Sequence, residues 1–169
     1  NESHENSRMR YKLIQSKFLD KNTIWSPFEK ALNRFGIEKY KALKPLIIEQ
    51  NIPTIQHHVA TGNLTYEELV TFYLYRIRLI ESNPKTTLHA VLALNPNIIE
   101  EAKQKDADKT SMTHPIYGMP ILLKDNINTA DMPTTAGAAI LEKHFPDEDA
   151  FVVKQTSTSL NILAQSRSI

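Results

Sequence analysis

Two short apolar runs, Leu88 to Leu94 and Met119 to Leu123, bracket a segment that opens with Asn95 and Pro96, and this order limits the fold more than anything else in the chain. Each run has the length of a strand. Asn followed by Pro supplies a cap and a first-turn proline, so the segment carrying Ile98, Ile99 and Ala102 reads as a helix that turns charged from Lys103 to Lys109. Strand, helix, strand predicts an α/β layer, with the two strands parallel if they share a sheet.

The stretch before it reads as helices. Ser26, Pro27 and Glu29 have the order of a helix start, Phe28, Leu32 and Phe35 follow at helical spacing, and Gly36 offers a terminating position. Pro45 interrupts the next apolar stretch, which leaves Leu46 to Glu49 separate or kinked. Pro53 opens a third short helix with Ile55 and Val59 on one face, ended by Gly62. Thr65 and Glu68 form a capping box, and Leu64 with Leu69 a hydrophobic staple, so the next helix start is doubly specified. Its apolar stripe, Leu69, Phe72, Tyr73, Ile77 and Ile80, runs to Ser82, Asn83 and Pro84.

Composition narrows the function classes. A chain of 169 residues, 41% hydrophobic and 23% charged, suits one globular domain. With 20 basic and 19 acidic residues, no whole-chain field draws nucleic acid or an anionic membrane. The absence of cysteine removes disulfides, a thiolate nucleophile and cysteine-ligated metal. No apolar run reaches the roughly 20 residues that span a bilayer, and Asn1 to Arg10 is polar. The chain begins with Asn, so localisation stays open: cytoplasmic by default, with an upstream signal or anchor allowed.

Lys124 closes the second apolar run and is followed by Asp125, Asn126 and Ile127, which puts it where a strand leaves the core. A free lysine titrates at about 10.4, so about one molecule in 2,500 is neutral at pH 7, and a working base needs its pKa lowered by roughly three units, about 4 kcal/mol. Burial in an apolar pocket can supply that. Asp125 opposes it unless the two side chains point apart, as successive strand residues do.

Between His114 and Gln155 the chain carries Pro115, Tyr117, Gly118, Met119 and Pro120, then Leu122, Leu123, Lys124, Asp125 and Asn126, then Ala130 through Gly137. In this order they resemble the amidase signature family of serine hydrolases. The capped helix from Thr65 through Arg76 and Ile77, Asn95 with Pro96, and Asp149 through Val153 agree, so the likeness covers about residues 45 to 155. It implies a partial amidase-signature fold: N-terminal helices, then strand, helix and strand of a central mixed sheet flanked by helices. It also implies that Lys124 is the general base of a Ser-cisSer-Lys triad that hydrolyses carboxamides through an acyl-enzyme. Thr134, Thr135 and Gly137 match a loop near the active site of the family, and a structural turn is the role expected of them. A small amide substrate is the implied partner of the intact parent, and no cofactor or metal is implied.

The departures matter as much. The family's Gly-Gly-Ser-Ser-Gly-Gly-Ser type segment, with both serines, has no counterpart, because this sequence contains no adjacent glycines. Residues 156–169 leave the family pattern and are expected to be a divergent end, disordered or frameshifted, in which Ser157 and Ser159 do not substitute for the missing serines. Residues 1–44 are expected to form a helical accessory segment. Without its serines the chain alone is expected to be inactive, with Lys124 partly exposed and protonated, and with strand edges that favour aggregation. The alternatives are a non-catalytic binding or assembly module, or part of the glutaminase subunit of a tRNA-dependent amidotransferase. A Schiff-base lysine needs only Lys124 and is a third.

Other candidates carry less. His57 and His58 are adjacent and point about 100° apart on a helix, so they read as surface residues, and His89 and His114 stand alone. Asp147, Glu148 and Asp149 read as first-turn charges on the helix that follows. Gly118 and Gly137 make no phosphate loop.

Overall fold

A computed structural model of the protein describes residues 24–108, 114–157 and 159–166. Expectations for residues 1–23, Lys109, Thr158 and residues 167–169 lie outside the described residues.

The helices come first. Helix α1, Glu29–Ile47, follows a 3-10 turn at Ser26–Phe28; α2 is Ile52–Ala60 and α3 is Tyr66–Glu81. Gly36 terminates a first helical segment as expected: at φ 63° and ψ 175°, a conformation open to glycine, it makes the kink across which two helices join in α1. Pro45 lies inside α1, whose end comes later, where Ile48 turns extended and Glu49 takes φ 63°. The segment expected to separate at Leu46 therefore stays helical through Ile47.

Helix α3 starts as its capping box requires. The Thr65 hydroxyl accepts from the Glu68 N–H at 3.0 Å, and the Glu68 carboxylate accepts from the Thr65 N–H at 3.1 Å. The two remaining first-turn amides are met from outside. Tyr66 N–H and Glu67 N–H donate to the two carboxylate oxygens of Asp106 at 2.7 and 2.9 Å. Asp106 belongs to helix α4, Ile98–Ala107, so this carboxylate ties two helices together and sits at a favourable helix end.

The apolar stripe of α3 is wider than its spacing suggests. Val70 and Leu74 are fully buried beside Leu69 and Phe72, because α1 covers one side of α3 and α4 another. On the α1 side Tyr40 stacks on Phe72 with ring centroids 4.7 Å apart, and the Arg76 guanidinium donates to the Tyr40 hydroxyl at 3.1 Å.

The strands are β1, Val91–Leu94, β2, Pro120–Lys124, and β3, Asn161–Ser166, in the spatial order β1-β3-β2. β3 pairs antiparallel with β1 and parallel with β2, so the sheet is mixed, as the family resemblance implies. Three expectations need correction. β1 and β2 do not run parallel: they run in opposite senses and share β3 as their neighbour. The first strand is shorter than its apolar run, because Leu88 is exposed and His89 has φ 49°, which extended pairing does not accommodate. The end of the chain is not frayed in its described part: Asn161 through Gln165 are buried in the middle strand of the sheet.

Asn95 differs too. It does not cap α4, whose N-cap is Asn97. It is instead buried, donates to the Glu101 carboxylate at 3.0 Å and to the Ile162 carbonyl at 3.3 Å, and accepts from the Asn97 N–H. The acidic run ahead of the last helix, α5 (Phe151–Thr156), also departs from expectation, as no acidic residue lies in its first turn. Asp149 accepts from the Ala130 N–H, and Glu148 pairs with Lys154 at 2.5 Å. That hydrogen bond, helped by the ammonium charge, lowers the Glu148 pKa.

Two apolar clusters hold the parts together. The larger runs from Phe28 and Leu32 through α3 and α4 to Leu163 and Ala164 of β3. The smaller contains Met132, Val153 of α5 and Ile162 of β3, whereas the adjacent Leu163 and Ala164 both serve the larger one, next to a register shift in the pairing of β3 with β2. No helix among the described residues is long and apolar enough to cross a membrane.

Candidate functional site

Lys124 is the last residue of β2, paired with Ser166 at the end of β3, and its side chain is exposed. Asp125 is its opposite in burial, with 3% of its surface in water. The strand reading therefore holds at this point: one side chain leaves the sheet outward and the next turns in.

The buried carboxylate is heavily bonded. Thr135 donates to Asp125 from both its N–H, at 2.8 Å, and its hydroxyl, and Gly137 N–H adds a bond of 3.2 Å. The Ala136 N–H donates to the Asp125 backbone carbonyl at 2.8 Å, while the Asp125 N–H donates to the Ser166 carbonyl at 2.9 Å. The segment Thr134 to Gly137 is thus a turn wrapped on one carboxylate, and Ala136 takes φ 48° to complete it.

Gln165 completes the group from β3 and is fully buried. Its amide orientation is fixed by its neighbours: Nε2 donates to the Pro133 carbonyl at 2.5 Å and to Asp125 Oδ1 at 3.1 Å, and Oε1 accepts from the Thr129 hydroxyl at 2.9 Å. The reverse orientation would set the amide oxygen against a carbonyl and a carboxylate. The family resemblance singled out Thr134, Thr135 and Gly137, but sequence reading missed both their anchor and Gln165, since the contacts join residues far apart in the chain.

A second feature lies elsewhere. A cavity of about 500 Å³ lies between α4 and α5, lined by Glu101, Lys105, Asp131, Asp149, Val153 and Ile162 among others. Burial lowers the Lys105 pKa, opposed by the Glu101 charge, and burial raises that of Asp131, with the Asp149 charge adding to it. Lys124 does not line this cavity. Ser157 does, while the Ser159 carbonyl accepts from the Gly118 N–H. Neither serine is brought to Lys124 by any hydrogen bond among the described residues.

The histidines are dispersed. His57, His89 and His114 are exposed and His58 is half-buried. Among the described residues no three side chains are grouped to hold a metal ion.

Comparison with known proteins places these observations. Residues 68–159 match the Amidase family model. The chain is 30% identical over 146 residues to a putative amidase of Schizosaccharomyces pombe, covering 85% of this chain and 24% of that protein. It is 33% identical over 109 residues to a glutamyl-tRNA(Gln) amidotransferase polypeptide of Exiguobacterium sibiricum, covering 64% and 22%. Among solved structures, an amidase family protein from Bacillus anthracis superposes with a TM-score of 0.79 at 33% identity, covering 88% of this chain and 30% of that one. The native peptide amidase of Stenotrophomonas maltophilia gives 0.65 at 32% identity, covering 70% and 25%. The chain spans about a quarter of the length of the curated relatives it matches.

Proposed function

This chain belongs to the amidase family, and from that premise we propose that it is the N-terminal part of a carboxamide hydrolase in which Lys124 serves as the triad base. The observation that carries the reading is the strand end itself. Lys124 points outward from β2 while Asp125, directly after it, is held inward by Thr135, Gly137 and Gln165, so the carboxylate is engaged elsewhere and does not clamp the ammonium.

In the proposed reaction a neutral Lys124 accepts a proton from a bridging serine, which takes the proton of the nucleophilic serine. The nucleophile's oxygen bonds to the amide carbon, the C–N bond breaks, and the nitrogen departs with the proton returned through the triad. Water then cleaves the acyl ester. Both serines lie outside this sequence, so the chain by itself is expected not to hydrolyse amides.

The likeness to a glutamyl-tRNA(Gln) amidotransferase polypeptide supports a second reading, in which the amide nitrogen comes from glutamine. One experiment addresses both. Ammonia release from glutamine and from a peptide amide is measured for the 169-residue chain alone and for a hybrid in which it replaces the matching portion of the Bacillus anthracis protein. Hydrolysis by the hybrid and none by the chain is the expected result, with the preferred amide choosing between the readings. Hydrolysis by the chain alone, or a folded but inactive hybrid, contradicts the proposal, the latter favouring a non-catalytic module.

A further inference from the structure

The cavity between α4 and α5 holds a lysine that no carboxylate claims. Lys103 and Lys105 both belong to α4, but two residues apart on a helix they stand about 200° from one another. Lys103 faces water and pairs with Glu100 at 3.5 Å, whereas Lys105 is half-buried and lines the cavity. Among the described residues Lys105 forms no ion pair.

The carboxylates that share the cavity are engaged by other groups. Glu101 accepts two bonds from the Asn95 amide, at 3.0 and 3.2 Å, and Asp149 accepts from the Ala130 N–H at 2.8 Å. With Asp108 and Asp131 the described lining carries four carboxyl groups and a single amine, and Val153, Leu160 and Ile162 give it an apolar side. Burial favours the uncharged, nucleophilic form of Lys105, against the charge of Glu101, and disposes the Asp131 carboxyl to keep its proton. A nucleophilic amine and a proton donor on one cavity are the two groups that imine formation requires.

We propose that Lys105 binds a small neutral aldehyde in this cavity as a reversible imine. The Nζ lone pair bonds to the carbonyl carbon, and one amine proton passes to the oxygen to give a carbinolamine. Asp131 protonates the hydroxyl, which leaves as water while the C=N bond forms, and the remaining nitrogen proton returns to the Asp131 carboxylate. The four carboxyl groups disfavour an aldehyde that carries its own carboxylate. Nothing in this chemistry involves Lys124 or the missing serines.

The test treats the 169-residue chain at neutral pH with benzaldehyde and cyanoborohydride, which reduces the imine to a secondary amine. Peptide mass spectrometry then scores each lysine for a gain equal to the aldehyde less one oxygen atom. Lys105 should be labelled more than about fivefold faster than the exposed Lys30 and Lys143. With carboxybenzaldehyde that preference should vanish. Asp131→Asn should slow labelling at Lys105 and leave Lys30 unaffected, and Ser157→Phe, which places a ring in the cavity, should remove the preference without changing the circular dichroism of the chain.

Two results on the unsubstituted chain would overturn the proposal: Lys105 labelled no faster than Lys30 and Lys143, or the same preference with the carboxylated aldehyde. Preferential labelling of Lys124 would also overturn it, and would move the carbonyl chemistry to the strand end.

Discussion

Gln165 of the middle strand donates to Oδ1 of Asp125 at 3.1 Å, so the carboxylate next to Lys124 is tied to β3 through a side chain as well as through the backbone. The bond is fully buried at one end and nearly so at the other. It makes the position of the strand end depend on Asp125.

Asp125→Ala should therefore destabilise the fold by about 3 kcal/mol, since it takes the acceptor from a half-buried N–H of Thr135 and from the buried amide of Gln165. Asp125→Asn keeps an acceptor for the Thr135 N–H and should cost less. Denaturant unfolding of the two variants checks the order, and equal loss in both would refute it.

Gly118 lies against the ring of Tyr66: a Cβ there would stand 2.3 Å from two ring carbons, and the backbone φ is +71°. Gly118→Ala should cost about 3 kcal/mol, from overpacking and left-handed strain together. In a Tyr66→Ala background the packing part disappears and the cost should fall to about 1 kcal/mol. A double-mutant cycle showing no coupling would place the strain elsewhere.

The start of α3 rests on Thr65 and Asp106. Thr65→Ala should cost about 1 kcal/mol. Asp106→Ala, which releases two first-turn amides and a charge at the helix N-terminus, should cost about 2 kcal/mol. Amide exchange at Tyr66 and Glu67 should accelerate in the second variant more than in the first.

Much of this architecture was legible in order but not in partnership. The capping box at Thr65 was readable because all its atoms come from four consecutive residues, and the two apolar runs announced strands by length alone. The direction of β1 relative to β2 was not readable, because it depends on β3, whose sequence from Asn161 to Ser166 mixes polar and apolar residues and gives no alternation. Its polar members, Asn161 and Gln165, are buried because they have bonds to make: Asn161 donates to the Gly118 carbonyl at 2.7 Å, and Gln165 reaches Asp125. Lys124 was found from its neighbours in sequence, whereas the turn that fixes it became intelligible only when Thr135 and Gly137 met Asp125 in space.

Alkaline pH offers an independent check of the Tyr66 environment. Burial raises the Tyr66 pKa to about 12 from 10.0, against a hydrogen bond from its hydroxyl to Gln56. The unfolded chain loses this proton first as pH rises past 10, so the stabilisation is whole below that value and is lost between 10 and about 12. Stability of Tyr66→Phe should fall less over the same interval, and parallel curves for the two proteins would contradict the assignment.

The most direct test of the central claim is ammonia release by the Bacillus anthracis hybrid with Lys124→Met introduced. The account predicts a fall of at least about a thousandfold in kcat, with folding and substrate affinity retained, since the nucleophile would lose its base while everything that positions the strand end remains. Hydrolysis by the Lys124→Met hybrid within a few-fold of the unsubstituted hybrid would show that Lys124 is not the base.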